Sequence, residues 1–134
     1  MKTNLTAEGK QNKDRSTPET LLLSRREIEK LLSMNEALKA VENAFILKAQ
    51  GKGIMPCKIY LDLPEYHGDF RAMPAYIDGS AGIKWVSVYP NNRNYSLPAV
   101  LAIIILCDPA TGYPLAIMDG AYTVSYTHLT LPTN

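Results

Sequence analysis

Cysteine, histidine and long apolar runs are scarce in this 134-residue chain, and each shortage excludes something. The two cysteines, Cys57 and Cys107, sit in apolar stretches without CxxC spacing, so the expectation is two reduced, buried thiols and neither a disulfide framework nor a metal site. The longest apolar run, Ala99 to Cys107, falls far short of the roughly 20 residues that a membrane helix needs. The first sixteen residues, MKTNLTAEGKQNKDRS, are polar and lack the apolar middle of a signal peptide. Charge of one sign is also missing: the formal net charge is +1 and Lys and Arg gather on no one face, which argues against nucleic acid as a partner. A membrane is not expected as a partner either, and a cytoplasmic location follows. No phosphate loop is visible. Gly79-Ser80-Ala81-Gly82 lacks GxGxxG spacing and precedes a strand, where such a loop has to follow one.

What is present reads as one domain with tails. Residues 1–19 have no apolar period and are expected to form a disordered tail or extension. Leu21-Leu22-Leu23 suits a short buried strand. Ser24 with Glu27, and then Ser33 with Glu36, are two capping boxes in succession, each opening an apolar stripe at helical spacing: Ile28, Leu31 and Leu32, then Ala37, Leu38, Val41, Ala44 and Phe45. Gly51 and Gly53 are natural stops. After Pro56 the period becomes two. Ile59, Leu61 and Leu63 alternate with Lys58, Tyr60 and Asp62, and further strands are predicted at Phe70–Ile77, Ile83–Tyr89, Ala99–Cys107 and Pro114–Met118. Pro74 predicts an edge position or a bulge in its strand. Turns are predicted at Pro64–Gly68, Asp78-Gly79, Pro90–Asn94 and Asp108–Gly112. Connections this short imply mostly antiparallel pairing, so the fold class is α+β: two N-terminal helices, then a mostly antiparallel mixed sheet.

Three cations stand out by their surroundings. Lys58 opens an alternating strand, Arg71 lies between Phe70 and Ala72, and Lys84 lies between Ile83 and Trp85. A cation among large apolar residues is costly to bury unless an anion completes it. If the three converge on one face they form a pocket for a small carboxylate, which Arg grips with a fork and Lys with a compact charge whose pKa falls on burial. The same positions also read as solvated faces of half-exposed strands, and the residues alone leave both readings open. His67 reads as a solvated turn residue, and Tyr60, Tyr66, Tyr76 and Trp85 as core or interface. Asp62, Glu65 and Asp69 do not make a convincing carboxylate pair.

The segments LLLSRREIEKLLSMNEALKAVENAF (21–45), MPCKIYLDLPEYHGDFRAMPAY (55–76), AGIKWVSVYPNN (81–92) and DPATGYPLAIMDGAY (108–122), in this order and spacing, resemble the ornithine cyclodeaminase and mu-crystallin family. The KIYLDLP…FRAMPAY form looks similar to its archaeal alanine dehydrogenase branch. The resemblance implies a two-domain homodimer whose N-terminal part, here residues 20–123, binds substrate and builds the dimer interface. A Rossmann domain, absent from this chain, would hold NAD or NADP, so no cofactor-binding residue is expected here. Lys58 matches the family's basic position after the MP segment, Lys84 the lysine of its GxKxVxxxP strand, and Arg71 an arginine of the alanine dehydrogenase branch. They are the substrate-binding candidates, with Lys84 also the catalytic one. Leu97-Pro98-Ala99-Val100 departs from the family's LPTV by losing a hydroxyl.

The implied chemistry is removal of hydride from the α-carbon of a small amino acid. In an ornithine cyclodeaminase the side-chain amine then attacks the imine, ammonia leaves, and the returned hydride yields proline. In an alanine dehydrogenase, water takes the imine to pyruvate. A non-catalytic mu-crystallin-like binder of a small ligand is the alternative of a different class. The preferred expectation is an N-terminal fragment of an ornithine cyclodeaminase, inactive alone, with a small amino or keto acid as partner. From Val124 the sequence VSYTHLTLPTN leaves the family pattern and resembles a translated transposase-type sequencing adapter, so 124–134 are expected to be non-native.

Overall fold

The computed structural model describes residues 18–121; the expectations for 1–17 and for the segment from 122 onward lie outside the described residues. Strand β1 (Leu21–Leu23) leads through Ser24 into helix α1 (Arg25–Leu31), and Ser33 opens helix α2 (Met34–Ala49). Both capping boxes form. The Glu27 carboxylate accepts from the Ser24 amide and hydroxyl (2.7 and 2.6 Å), and Glu36 accepts from the Ser33 amide (3.0 Å) while its own amide donates to the Ser33 hydroxyl (3.3 Å). These bonds satisfy amides that have no partner inside the helix. Gly51 takes a left-handed conformation (φ 73°) just past α2. Gly53, expected as a further stop, instead begins a two-residue strand, β2 (Gly53–Ile54).

Five more strands follow: β3 (Ile59–Leu63), β4 (Gly68–Ile77), β5 (Ser80–Val88), β6 (Val100–Cys107) and β7 (Pro114–Asp119). Together they form one seven-stranded mixed sheet in the order β1-β7-β6-β5-β4-β2, with β3 also on β4. Every pairing is antiparallel except β1 with β7, which is parallel. The α+β expectation therefore holds. The hydroxyls of Thr20 and Tyr113 donate to the carbonyls of Pro114 (2.8 Å) and Pro18, which ties the chain start to the β7 end of the sheet. Asp78-Gly79, with both φ values positive (47° and 75°), is a two-residue turn whose hand suits the twist of the β4–β5 hairpin. The expected Pro90–Asn94 loop is a 3-10 turn over Pro90–Tyr95.

Pro74 takes a local edge position within β4, as expected. It pairs with Ile83 of β5, while on the other side of β4 the partners Ile59–Leu63 end at Ala72 and Gly53–Ile54 begin at Tyr76. The chain at 55–58 has left the sheet beside it, so a residue without an amide hydrogen fits there.

Burial corrects several expectations. Among the described residues the buried hydrophobic core is small: Ile28, Val86, Ala102 and Ala116. Leu21 and Leu22 (73% exposed) form an open edge strand, not a buried one, because β1 has a neighbour on one side only. Leu31, Leu38 and Phe45 are exposed as well, and α2 buries no residue fully. Tyr60, Tyr66, Tyr76 and Trp85 are likewise exposed, which corrects the core half of their core-or-interface expectation. Trp85 stacks on Phe70 at 5.3 Å, on a sheet face that also carries exposed Ile59, Leu61 and Ile103. Cys57 is exposed, because it lies in the departing 55–58 segment; Cys107 is partly buried, and both are free thiols.

Gly82 limits what this sheet tolerates. A Cβ there would sit 2.5 Å from the Ile105 carbonyl oxygen, a backbone atom that cannot rotate away. Gly82→Ala is expected to cost about 2 kcal/mol through overpacking, measured by urea unfolding. An unchanged midpoint would contradict the close strand approach.

Candidate carboxylate-binding site

Register decides which side chains share a face. In antiparallel strands directly opposed residues point the same way, and alternate residues along a strand do too. Arg71 pairs with Tyr60 of β3 and Val86 of β5, and Met73 pairs with Lys84, which in turn pairs with Ile104. Arg71 and Lys84 are thus on one face, opposite to that of Trp85 and Ile103. Lys58, two residues before Tyr60 and just outside β3, joins Lys84 as a wall of a concave trough of about 370 Å³. Its other walls are largely apolar, including Met55, Met73, Ile83 and Ile104.

Two lysines in such a setting repel each other. Burial in the apolar trough pushes the Lys84 ammonium below the ordinary lysine pKa, and the nearby charge of Lys58 lowers it further. Lys84 therefore gains access to a neutral amine at a lower pH than a solvated lysine. A ligand carboxylate between them would relieve both effects, since the charged form then gains a partner.

Arg71 stands on the same face beside the trough and is not among the residues that line it. Its Nε and Nη2 donate to the two carboxylate oxygens of Asp69 at 2.6 and 3.0 Å, a bidentate pair within one strand. The Tyr60 ring lies 5.3 Å from its Cζ. The bond from Arg71 holds the Asp69 carboxyl below its usual range, and Asp69 raises the guanidinium in turn. So the structure brings Lys58 and Lys84 together, and puts Arg71 on the same face with its fork already engaged. Asp69 was passed over in the sequence because it forms no carboxylate pair. The signal was the Asp69-Phe70-Arg71 spacing, which in a strand puts the first and third side chains side by side. His67 caps the short Pro64–Tyr66 turn in a left-handed conformation. Among the described residues no group of three or more His, Cys, Asp or Glu could hold a metal ion, and no helix is long and apolar enough to cross a membrane.

The described strand-to-helix turn does not fit a dinucleotide. The strand-to-helix turn from β1 into α1 carries Ser24 where close approach of a pyrophosphate needs glycine, and its first amide is already bonded to Glu27.

If Lys58 sets the Lys84 titration, Lys58→Met raises the Lys84 pKa. The expected result in Nζ-detected NMR is a midpoint nearer the ordinary lysine value, with a smaller stability gain as pH rises through the window below 10.5. The sign follows because a depressed lysine pKa means that the unfolded chain binds more protons there. An unmoved midpoint would show that the two amines do not interact.

Residues 18–128 match the profile of the ornithine cyclodeaminase/mu-crystallin family. The chain is 53% identical over 107 residues to an alanine dehydrogenase of Archaeoglobus fulgidus, covering 80% of this chain and 33% of that protein. Among solved structures, it resembles an archaeal alanine dehydrogenase dimer with bound NAD (TM-score 0.76, 52% identity, 80% of this chain and 33% of that one). It also resembles the Thermococcus litoralis Δ1-pyrroline-2-carboxylate reductase in complex with NADH and L-proline (TM-score 0.77, 40% identity, 80% and 34%). The chain spans about a third of the length of these relatives. The chain belongs to the ornithine cyclodeaminase/mu-crystallin family.

Proposed function

We propose that this chain supplies the substrate-holding part of a nicotinamide-dependent oxidoreductase of small amino acids, of the alanine dehydrogenase or cyclic-imine reductase kind. The observation that carries this reading is the pair Lys58 and Lys84 in one apolar trough, two cations without a carboxylate partner among the described residues. A carboxylate of a small amino or keto acid would seat between them, and the apolar wall of Met73 and Ile104 would take a short aliphatic side chain. Seating the carboxylate fixes the position of the α-carbon, which is catalysis by orientation. Lys84, with its lowered pKa, would also exchange a proton with the reacting amine or carbonyl. The resemblance to a dehydrogenase at 53% and to a reductase at 40% identity favours this chemistry over cyclodeamination of ornithine, since neither relative's described activity requires a second amine on the substrate.

NAD or NADP would supply the hydride acceptor, held by residues outside 18–121. The exposed face of Ile59, Leu61, Trp85 and Ile103 would meet a second copy, as expected of a homodimer.

The test is NAD reduction with L-alanine, L-proline and L-ornithine as substrates, using the full-length protein that carries this chain. L-alanine or L-proline should be turned over faster than L-ornithine. Lys84→Met should lower kcat/KM by about 100-fold or more, the scale of a lost general acid-base group. Residues 1–134 by themselves should not turn over cofactor. Unchanged kinetics in Lys84→Met would sink the proposal.

A further inference from the structure

The Arg71 guanidinium is more constrained than a surface arginine needs to be. Its Nε–Nη2 edge is bonded to both oxygens of Asp69, its face lies over the ring of Tyr60, its direct partner across the β3–β4 ladder, and the Arg71 and Asp69 side chains are 33% and 19% exposed. Arg has five donors, and Asp69 takes two of them. Nη1 has no hydrogen-bond partner among the described residues. A half-exposed pair of this kind adds little to stability. Asp62, directly opposite Asp69, adds a second negative charge near the guanidinium and favours its charged form.

We propose that Asp69 is a positioning residue for substrate recognition, pinning one edge of Arg71 over Tyr60 so that the Nη1 end is left for a ligand carboxylate. This rests on the reading that the lysine face binds a small amino or keto acid, and it adds the group that orients the arginine of that face. The strand pleat sets the geometry: residues two apart on one strand stand side by side, so Asp69 meets Arg71 without any loop having to close. Loss of Asp69 has two opposed effects. One negative charge leaves, which favours an anionic ligand, but this gain is screened by water at a half-exposed site. The fork also loses both bonds that fix it, and a long side chain regains its rotamer freedom. The second effect prevails, because a charge-assisted hydrogen bond from Nη1 depends on the direction of its N–H groups and not on charge alone.

The experiment is steady-state kinetics with L-alanine on the full-length protein, comparing Asp69→Asn, Asp69→Glu, Arg71→Met and the double variant D69N/R71M, with thermal midpoints for each. Asp69→Asn should raise KM about tenfold while kcat falls less than threefold, the scale expected for charge-assisted hydrogen bonds. Asp69→Glu should restore KM to within about threefold, because the carboxylate returns one methylene further out. In the Arg71→Met background, Asp69→Asn should add nothing, because Asp69 acts only through Arg71. A KM unchanged or lowered by Asp69→Asn in a folded protein, with Arg71→Met still raising it, overturns the positioning role alone. Independent, additive effects of the two substitutions overturn it too. If Arg71→Met leaves KM and kcat unchanged, Arg71 takes no part in gripping substrate, and the proposal falls with that part of the site. An effect of Asp69→Asn on the thermal midpoint alone marks a structural pair and overturns it as well.

Discussion

The register of β4 against its neighbours is the constraint on which the rest of this structure depends. Side chains in a strand alternate with a period of two, so one residue of slip would send Arg71 and Met73 to the opposite face and break their alignment with Tyr60 and Lys84. The two-residue turn at Asp78-Gly79 fixes that register on the β5 side, and the departure of the chain at 55–58 ends it on the β3 side. The same departure brings Lys58 beside Lys84 and gives Pro74 a place where no amide is required. Fold and site are thus consequences of one alignment, and the close approach of β6 at Gly82 holds the trough floor in place.

Charge then separates the face into two parts of different character. In the trough, Lys58 and Lys84 repel, and burial adds to the pressure on Lys84. Beside it, Arg71 already has its counter-ion in Asp69. The first part is short of an anion and the second is balanced, which is why a ligand carboxylate is attributed first to the lysines. Apolar surface elsewhere follows the same logic of incompleteness: Leu22, Ile59 and Leu61 are exposed in a chain that spans about a third of the length of its relatives.

Much of this was legible in the sequence. The Ser-x-x-Glu pairs at Ser24 and Ser33 and the turn at Asp78-Gly79 are local signals, and they found the helices and the central hairpin. The alternation placed Arg71 and Lys84 in strands and put Lys58 at the start of one, whereas it lies just before β3. What failed was non-local. Burial of Leu21, Phe45, Tyr60 or Cys57 depends on what covers them, and hydrophobicity alone predicts covering that the described residues do not provide. Pro74 signalled an edge position, but the gap that provides it depends on two separate strands ending against one, which no window along the chain can show. Convergence of the three cations was one of two open readings; Arg71 is held by Asp69, a pair that needed the strand pleat as well as the composition to be seen.

The central claim is that a small carboxylate seats between Lys58 and Lys84. A crystal structure of the full-length protein with pyruvate and NAD tests it most directly. The account predicts one carboxylate density with oxygens about 2.7–2.9 Å from both lysine Nζ atoms. Pyruvate bound elsewhere, with both amines facing only solvent, would contradict it.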